Sequence, residues 1–192
     1  MKALEEKILK EGKVLPGNIL KVGSFLNHRL DVEFIMEMGK EIARIFADSK
    51  ITNVLTIETS GIPIAVAAAA AMHVPVVFAK KNKTGNLDGE LYKTVVHSYT
   101  HGTDYNVVVS REYINESDSV LIVDDFLANG KALEGLIDIV GQAGASLAGC
   151  CCVIEKGFQQ GGDNLRNQGV RVESLAIIDR MDDTSVTFRE QN

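Results

Sequence analysis

Along most of the chain, short unbroken apolar runs alternate with stretches whose apolar residues recur every three or four positions. An unbroken run bounded by turn residues marks a strand buried on both faces; the three-to-four spacing marks a helix with one buried face. Asn53 to Ile57 predicts such a strand, followed by Glu58, Thr59, Ser60 and Gly61 and then an alanine-rich helix through Met72. Pro75 introduces a second strand, Val76 to Ala79, and a third, Val120 to Val123, ends on Asp124 and Asp125. From about Gly130 a helix places Leu133, Leu136, Ile137 and Val140 on one face, and Gly141 and Gly144 stop it. Leu147 to Ile154 and Val172 to Ile178 predict two further strands, and Thr184 to Arg189 a short edge strand. Strand alternating with helix predicts an α/β domain with a central parallel sheet and helices on both faces.

Two regions break this rhythm. Residues 1–50 predict a helical lead-in, in which Asp31 caps a helix that turns Ile35, Met36, Ile42 and Phe46 inward. Residues 80–111 begin polar and glycine-containing, then show two β-prone runs, Lys93 to Thr100 and Asn106 to Ser110. This stretch predicts a long mobile arm ending in an antiparallel pair. No repeat or long Pro/Gly/Ser linker divides the sequence, so residues 1–192 are expected to form one domain.

Composition narrows the function classes. Of 192 residues, 45% are apolar and 24% charged, enough hydrophobic material for a core without staples. Twenty Lys+Arg against 26 Asp+Glu leave a net charge of −6, which argues against a surface-wide attraction to nucleic acid but permits a local basic pocket. The longest apolar run, Ile62 to Met72, falls short of the roughly 20 residues that cross a bilayer. The charged N-terminal residues do not resemble a secretory signal, so no membrane association and a cytoplasmic location are expected. The three cysteines, Cys150, Cys151 and Cys152, are consecutive in a strand, where neighbours point to opposite faces and cannot form an ordinary disulfide or metal cage. They read as buried fillers in a reducing compartment. His28, His73, His97 and His101 show no metal-ligand spacing, and a protein-built metal site is not expected.

In an open parallel sheet, ligands bind beyond the carboxyl ends of the strands. The most informative such end runs from Val120 to Ala132: four apolar residues, two acids, then a small-residue loop entering a helix. Free N–H groups at the helix start form an anion site, and Ala128, Gly130 and Ala132 let the backbone approach a phosphate closely. Asp124 and Asp125 would accept hydrogen bonds from a ribose diol. The turn from Glu58 to Gly61 joins a strand end to a helix start and can present N–H groups to an anion; equally, it can be an ordinary Thr/Ser cap. Lys80, Lys81, Asn82 and Lys83, taken bare, read as a solvated face.

Together these residues resemble the PRPP-binding signature of the type I phosphoribosyltransferases. Further segments in the expected order are similar to the bacterial xanthine phosphoribosyltransferases: ILKVGSFLNHRLD (19–31), TIETSGI (56–62), VPVVFAKK (74–81), DDFLANGKA (124–132) and IEKGF (154–158). The resemblance implies a Rossmann-like type I phosphoribosyltransferase fold with a flexible loop and a small hood, to which residues 1–50 contribute. It implies transfer of 5-phosphoribosyl from PRPP to N9 of xanthine, giving XMP and pyrophosphate. Asp124 and Asp125 would orient the ribose, and Ala128, Asn129, Gly130, Lys131 and Ala132 would hold the 5′-phosphate. Thr59, Ser60, Lys80 and Lys81 would hold pyrophosphate. The phosphate loop lacks the threonines common in the family, which leaves the backbone cradle to do the binding.

For the base, the resemblance implies Leu20, Asn27 and Lys156, with Phe158 stacking on the ring. Xanthine carries carbonyl oxygens at C2 and C6 and calls for donors such as the Lys156 ammonium and the Asn27 amide. Without a ligand in view, Leu20 and Phe158 read equally as core and Asn27 as a turn residue; only Lys156, ending an apolar strand, looks out of place. Mg²⁺ is expected to arrive bound to PRPP, and a homodimer is implied. Guanine and hypoxanthine share the C6 carbonyl and remain alternative bases, and a PRPP-binding regulator without catalysis remains an alternative of another class.

Overall fold

The computed structural model describes residues 1–81, 90–98, 103–182 and 185–191. The chain opens with α1 (Lys2–Glu11), then a two-stranded antiparallel ribbon, β1 (Lys13–Leu15) and β2 (Ile19–Lys21). The lead-in is therefore not wholly helical. Pro16 presets the turn, and Gly17 and Asn18 take positive φ (84° and 60°), as a tight reversal requires. A single wide helical turn, Gly23–Asn27, leads into α2 (Val32–Ile45), which Asp31 caps by accepting from the Phe34 N–H at 3.3 Å. The inward face carries Ile35, Met38 and Ile42, with Phe46 just beyond the helix. Met36, expected inward, lies about 100° round the helix from Ile35 and is 37% exposed.

Next come β3 (Asn53–Ile57), α3 (Ile62–Met72), β4 (Val76–Lys81), β5 (Leu91–Ser98), β6 (Thr103–Ser110) and β7 (Ser119–Leu127). They are followed by α4 (Lys131–Gln142), β8 (Ser146–Lys156), a short helical turn at Gly157–Gln159, α5 (Gly161–Asn167), β9 (Val172–Met181) and β10 (Val186–Phe188). Among the described residues these strands form one eight-stranded sheet in the order β10-β9-β8-β7-β3-β4-β6-β5, with five parallel strands from β9 to β4 and the outer three joined by antiparallel pairing. The α/β class and mostly parallel sheet expected from the sequence are thus observed.

β3 is buried at all five positions, as its apolar run requires. One face of the sheet is covered by α1, α2 and α3 over a core that includes Phe25, Met38 and Cys151; the other is covered by α4 over a core that includes Leu136, Cys150 and Cys152. The cysteine triplet therefore alternates between the two cores. Burial pushes the Cys150 thiol up to about 12, and its two neighbours up as well.

Three further expectations change. The arm expected over 80–111 does end in an antiparallel pair, but β5 and β6 extend the main sheet beside β4 and bury Tyr92, Val96, Val107 and Val109. Asn82 and Lys83, with the rest of 82–89, lie outside the described residues, as do residues 99–102, so the expected strand end at Thr100 does too. β7 continues past Val123 to Leu127, so the two acids sit within the strand instead of beyond it. The stretch after Phe158, for which no element was expected, holds α5.

Candidate active site

The ladder between β7 and β3 ends at Ile122 and Leu55, while pairing with β8 continues to Leu127 and Glu155. The last third of β7 therefore borders an opening where β3 has departed, and that opening receives the two acids. Asp124 is 6% exposed, and its Oδ1 accepts the Asp125 N–H at 2.9 Å. Burial holds its carboxyl well above the usual carboxylate range, and the charge of Asp125 adds to the effect. Burial raises Asp125 as well, opposed first by a hydrogen bond from the Asn27 amide, whose Nδ2 donates to Oδ2 at 3.2 Å. Two carboxylates with few internal donors are suited to a partner that brings hydroxyls.

Behind them the chain turns through Ala128 to Gly130 into α4. Gly130 has φ 86°, a conformation that a side chain would strain, and no side chain caps the helix. Asn129 Oδ1 accepts the Lys131 N–H at 3.2 Å, and the Lys131 ammonium contacts Glu134 at 2.7 Å. A recess of about 90 Å³ is lined by residues 126–133. It has room for a small anion at the helix start, where first-turn N–H groups have no intrahelical acceptor.

The turn after β3 meets the acids from the other side. Gly61 lies against Asp124 so closely that a Cβ there would sit 2.7 Å from Asp124 Oδ1. The Glu58–Thr59 peptide is cis, and Glu58 Oε1 accepts the Lys81 N–H at 2.6 Å, tying the turn to the end of β4. Thr59 is exposed and Ser60 half-buried. The Lys81 ammonium lies 5.4 Å from the Tyr105 ring centre, and its charge partly offsets the rise at Asp124. Burial raises the Tyr105 hydroxyl, with the Asp124 charge adding to it.

The pleat separates the two lysines. Lys81 pairs with Val107 on the α4 face, whereas Lys80 pairs with Val108 and lines a cleft of about 520 Å³ with Phe78 and Tyr113. The structure therefore brings Lys81 to the acids and Lys80 to another surface.

On the far side of the opening, Lys156 Nζ donates to the Asn18 carbonyl at 2.9 Å and lies 5.8 Å from the Phe126 ring centre; burial lowers its pKa. Asn27 is close by through Asp125. Phe158 is half-buried against the core. Leu20, at 7% exposure in the middle of β2, packs into that same core beneath α1. The sequence reading missed Phe126, although an aromatic directly after two acids is unusual enough to have been a signal. It also missed Glu155, fully buried at the end of β8 and clasped by Arg166 at 2.6 and 2.9 Å.

Comparison with known proteins agrees with this geometry. Residues 23–166 match the model of the phosphoribosyl transferase domain family. The chain is 53% identical over 191 residues to the xanthine phosphoribosyltransferase of Lachnoclostridium phytofermentans, covering 98% of each chain. It is 55% identical over 190 residues to xanthine phosphoribosyltransferase 1 of Clostridium perfringens, covering 98% of this chain and 100% of the relative. Among solved structures it resembles the APRTase of Giardia lamblia complexed with 9-deazaadenine, with TM-score 0.79 and 21% identity over 93% of this chain and 98% of the other. The adenine phosphoribosyltransferase of Thermoanaerobacter pseudethanolicus is similar at TM-score 0.73 and 20% identity, over 91% and 98%. Those two likenesses speak for the fold alone. With the family model matched across the acids, the small-residue loop and the turn after β3, and with relatives more than half identical along nearly the whole chain, this chain belongs to the phosphoribosyltransferase family.

Proposed function

We propose that this chain transfers the 5-phosphoribosyl group of PRPP to N9 of xanthine, releasing pyrophosphate and forming XMP. The observation that carries the reading is the placement of an acid pair beside an anion-sized recess, with Lys156 and Asn27 across the same opening. Relatives named xanthine phosphoribosyltransferase at more than half identity support the choice of base.

In this reading, Asp124 and Asp125 accept from the ribose hydroxyls, and the backbone of residues 128–132 holds the 5′-phosphate. The Glu58–Gly61 turn, through Thr59 and Ser60, receives pyrophosphate with Lys81. Lys80, on its separate face, would serve only by reaching a site other than this one. C1′ develops positive charge as the bond to pyrophosphate breaks, and the chain's contribution is to align N9 and neutralise the leaving group. The Asn27 amide has two N–H bonds, of which one is committed to Asp125. Lys156 has three, of which one is committed to Asn18. The remainder suits the carbonyl oxygens of xanthine. Adenine offers an amino group at C6 and would leave the remaining ammonium hydrogens without an acceptor there, at a cost of about 1–3 kcal/mol. Leu20 would support the base from beneath and Phe158 would lie against its ring.

Magnesium enters as part of the substrate. Among the described residues no three His, Cys, Asp or Glu side chains cluster as a metal site. The acid pair would hold the diol of a PRPP molecule that brings the ion with it. When bound, the ion neutralises pyrophosphate charge. Among the described residues no helix is long and apolar enough to cross a membrane. We read residues 1–192 as a single domain with residues 1–50 contributing the hood, acting in the cytoplasm as a homodimer.

The test is turnover with PRPP and Mg²⁺ on xanthine, guanine, hypoxanthine and adenine. Preference for xanthine is expected. Preference for guanine or hypoxanthine would overturn the base assignment, and PRPP binding without turnover on any base would overturn catalysis itself.

A further inference from the structure

We infer that Gly161 is a positioning residue: it backs the phosphate loop and holds residues 128–130 in their anion-binding shape. The inference rests on the reading of that loop as the 5′-phosphate site. Its own ground is a contact behind the loop: Gly161 lies against residues 128–130 and is not among the residues lining the recess. The Gly161 N–H donates to the Ala128 carbonyl at 3.2 Å, more than thirty positions away along the chain. A Cβ at Gly161 would overlap the Ala128 carbonyl oxygen and come within 2.5 Å of both Asn129 C and Gly130 N. All three are backbone atoms of the loop, so no side-chain rotation can relieve the overlap. The loop itself must move.

The segment behind the loop is anchored firmly enough to act as a fixed stop. Arg166 grips the fully buried Glu155 with two hydrogen bonds, donates to the Val172 carbonyl at 3.0 Å and bonds Asp163 at 3.0 Å. Ser174 donates to the same Glu155 carboxylate at 2.5 Å, and Arg189 holds Asp163 from the β10 side at 3.0 Å. A buried pair of this kind resists losing either partner. Lys156 and Phe158 stand at the start of the same short stretch, so the base side and the phosphate side of the site share one mounting.

Neighbouring glycines separate positioning from general stability. A Cβ at Gly162 would instead have its three nearest neighbours in the side chains of Glu155 and Arg166, with Glu155 Cδ at 2.6 Å and Arg166 Nη1 at 2.9 Å. Gly161→Ala and Gly162→Ala should both lower the melting temperature, but Gly161→Ala, whose nearest clashes are with the loop backbone, should raise KM for PRPP well beyond any rise from Gly162→Ala. A displacement of order 1 Å at an anion cradle is expected to raise that KM about tenfold or more, with KM for xanthine within about twofold. An unchanged KM for PRPP in folded Gly161→Ala overturns the proposal, and so does an equal rise of both KM values in both variants. Ala132→Asp tests the underlying reading separately by placing a negative charge in the cradle. If it leaves KM for PRPP unchanged, the phosphate lies elsewhere and the proposal falls with that reading; if it raises KM while Gly161→Ala does not, only the proposal fails. Should Gly161→Ala not accumulate folded, Asp163→Asn loosens the same segment from behind without adding an atom near the loop. A smaller rise in KM for PRPP is then expected, and no rise overturns the proposal.

Discussion

Replacing Asp124 with asparagine should make the protein more stable while it disables the enzyme. The carboxyl is 6% exposed, beside the like charge of Asp125, and it accepts the Asp125 N–H at 2.9 Å. Asparagine keeps an oxygen for that N–H and removes the buried charge. A buried charged group short of donors costs about 1–3 kcal/mol, of which a neutral isostere recovers much. For a chain of this size each kcal/mol is worth about 2–4 °C, so a rise of several degrees is expected at pH 8. The sign with pH follows from linkage. Because the folded carboxyl is displaced upward, the folded state holds its proton more tightly than the unfolded chain does. The ionised carboxylate therefore penalises folding above that raised pKa, and the penalty fades as pH falls to the ordinary value of 3.8, where the gain from asparagine should vanish. Thermal melts of both proteins at pH 4 and pH 8, with and without PRPP and Mg²⁺, check this. The variant should melt higher at pH 8 only, and PRPP should stabilise it less than it stabilises the parent. A variant that melts at or below the parent at pH 8 refutes the assignment of Asp124 as a strained acceptor awaiting hydroxyls.

Burial lowers the Lys156 pKa, so xanthine binding should weaken at alkaline pH as the ammonium deprotonates; Lys156→Arg should abolish that pH dependence, while Lys156→Met raises KM for xanthine about tenfold or more with little change in KM for PRPP. Saturation curves for each substrate from pH 7 to 10 decide it, and a pH-independent KM for xanthine in the parent counts against Lys156 as the base donor. The three cysteines are fully buried with thiols pushed upward, so a disulfide exchange reagent should find no rapidly reacting thiol in the native protein and three after denaturation. Rapid reaction of the native protein would show that β8 opens locally.

What could be read from the sequence was what neighbours along the chain determine. The strand of Asn53 to Ile57 was legible because burial on both faces leaves an unbroken apolar run, and the Asp31 cap because capping spans only three residues. The acid pair with its small-residue loop was legible for the same reason. The ribbon of β1 and β2 went unread although Pro16, Gly17 and Asn18 spell a turn, because its strands are three residues long and flanked by exposed lysines. The apolar run of β4 ends at Ala79, and the lysines after it read as solvated. The strand's true end at Lys81 is what sends Lys80 and Lys81 to opposite faces.

What could not be read depends on distant pairings. Asn27 reaches Asp125 across 98 positions and Lys156 reaches Asn18 across 138, and no local pattern encodes either contact. Both donors expected for the base are therefore already partly engaged within the protein. Each ties the N-terminal segment to the end of a central strand, Asn27 to β7 and Lys156 from β8. The number of hydrogens they have left, one on Asn27 and two on Lys156, limits what a base can be offered. That count favours a ring bearing carbonyl oxygens over one bearing amino groups. On the proposed reading of the base site, weakening either tie should free a donor hydrogen and loosen the segment that aims it. Relaxed base choice and a less stable N-terminal segment should then appear together.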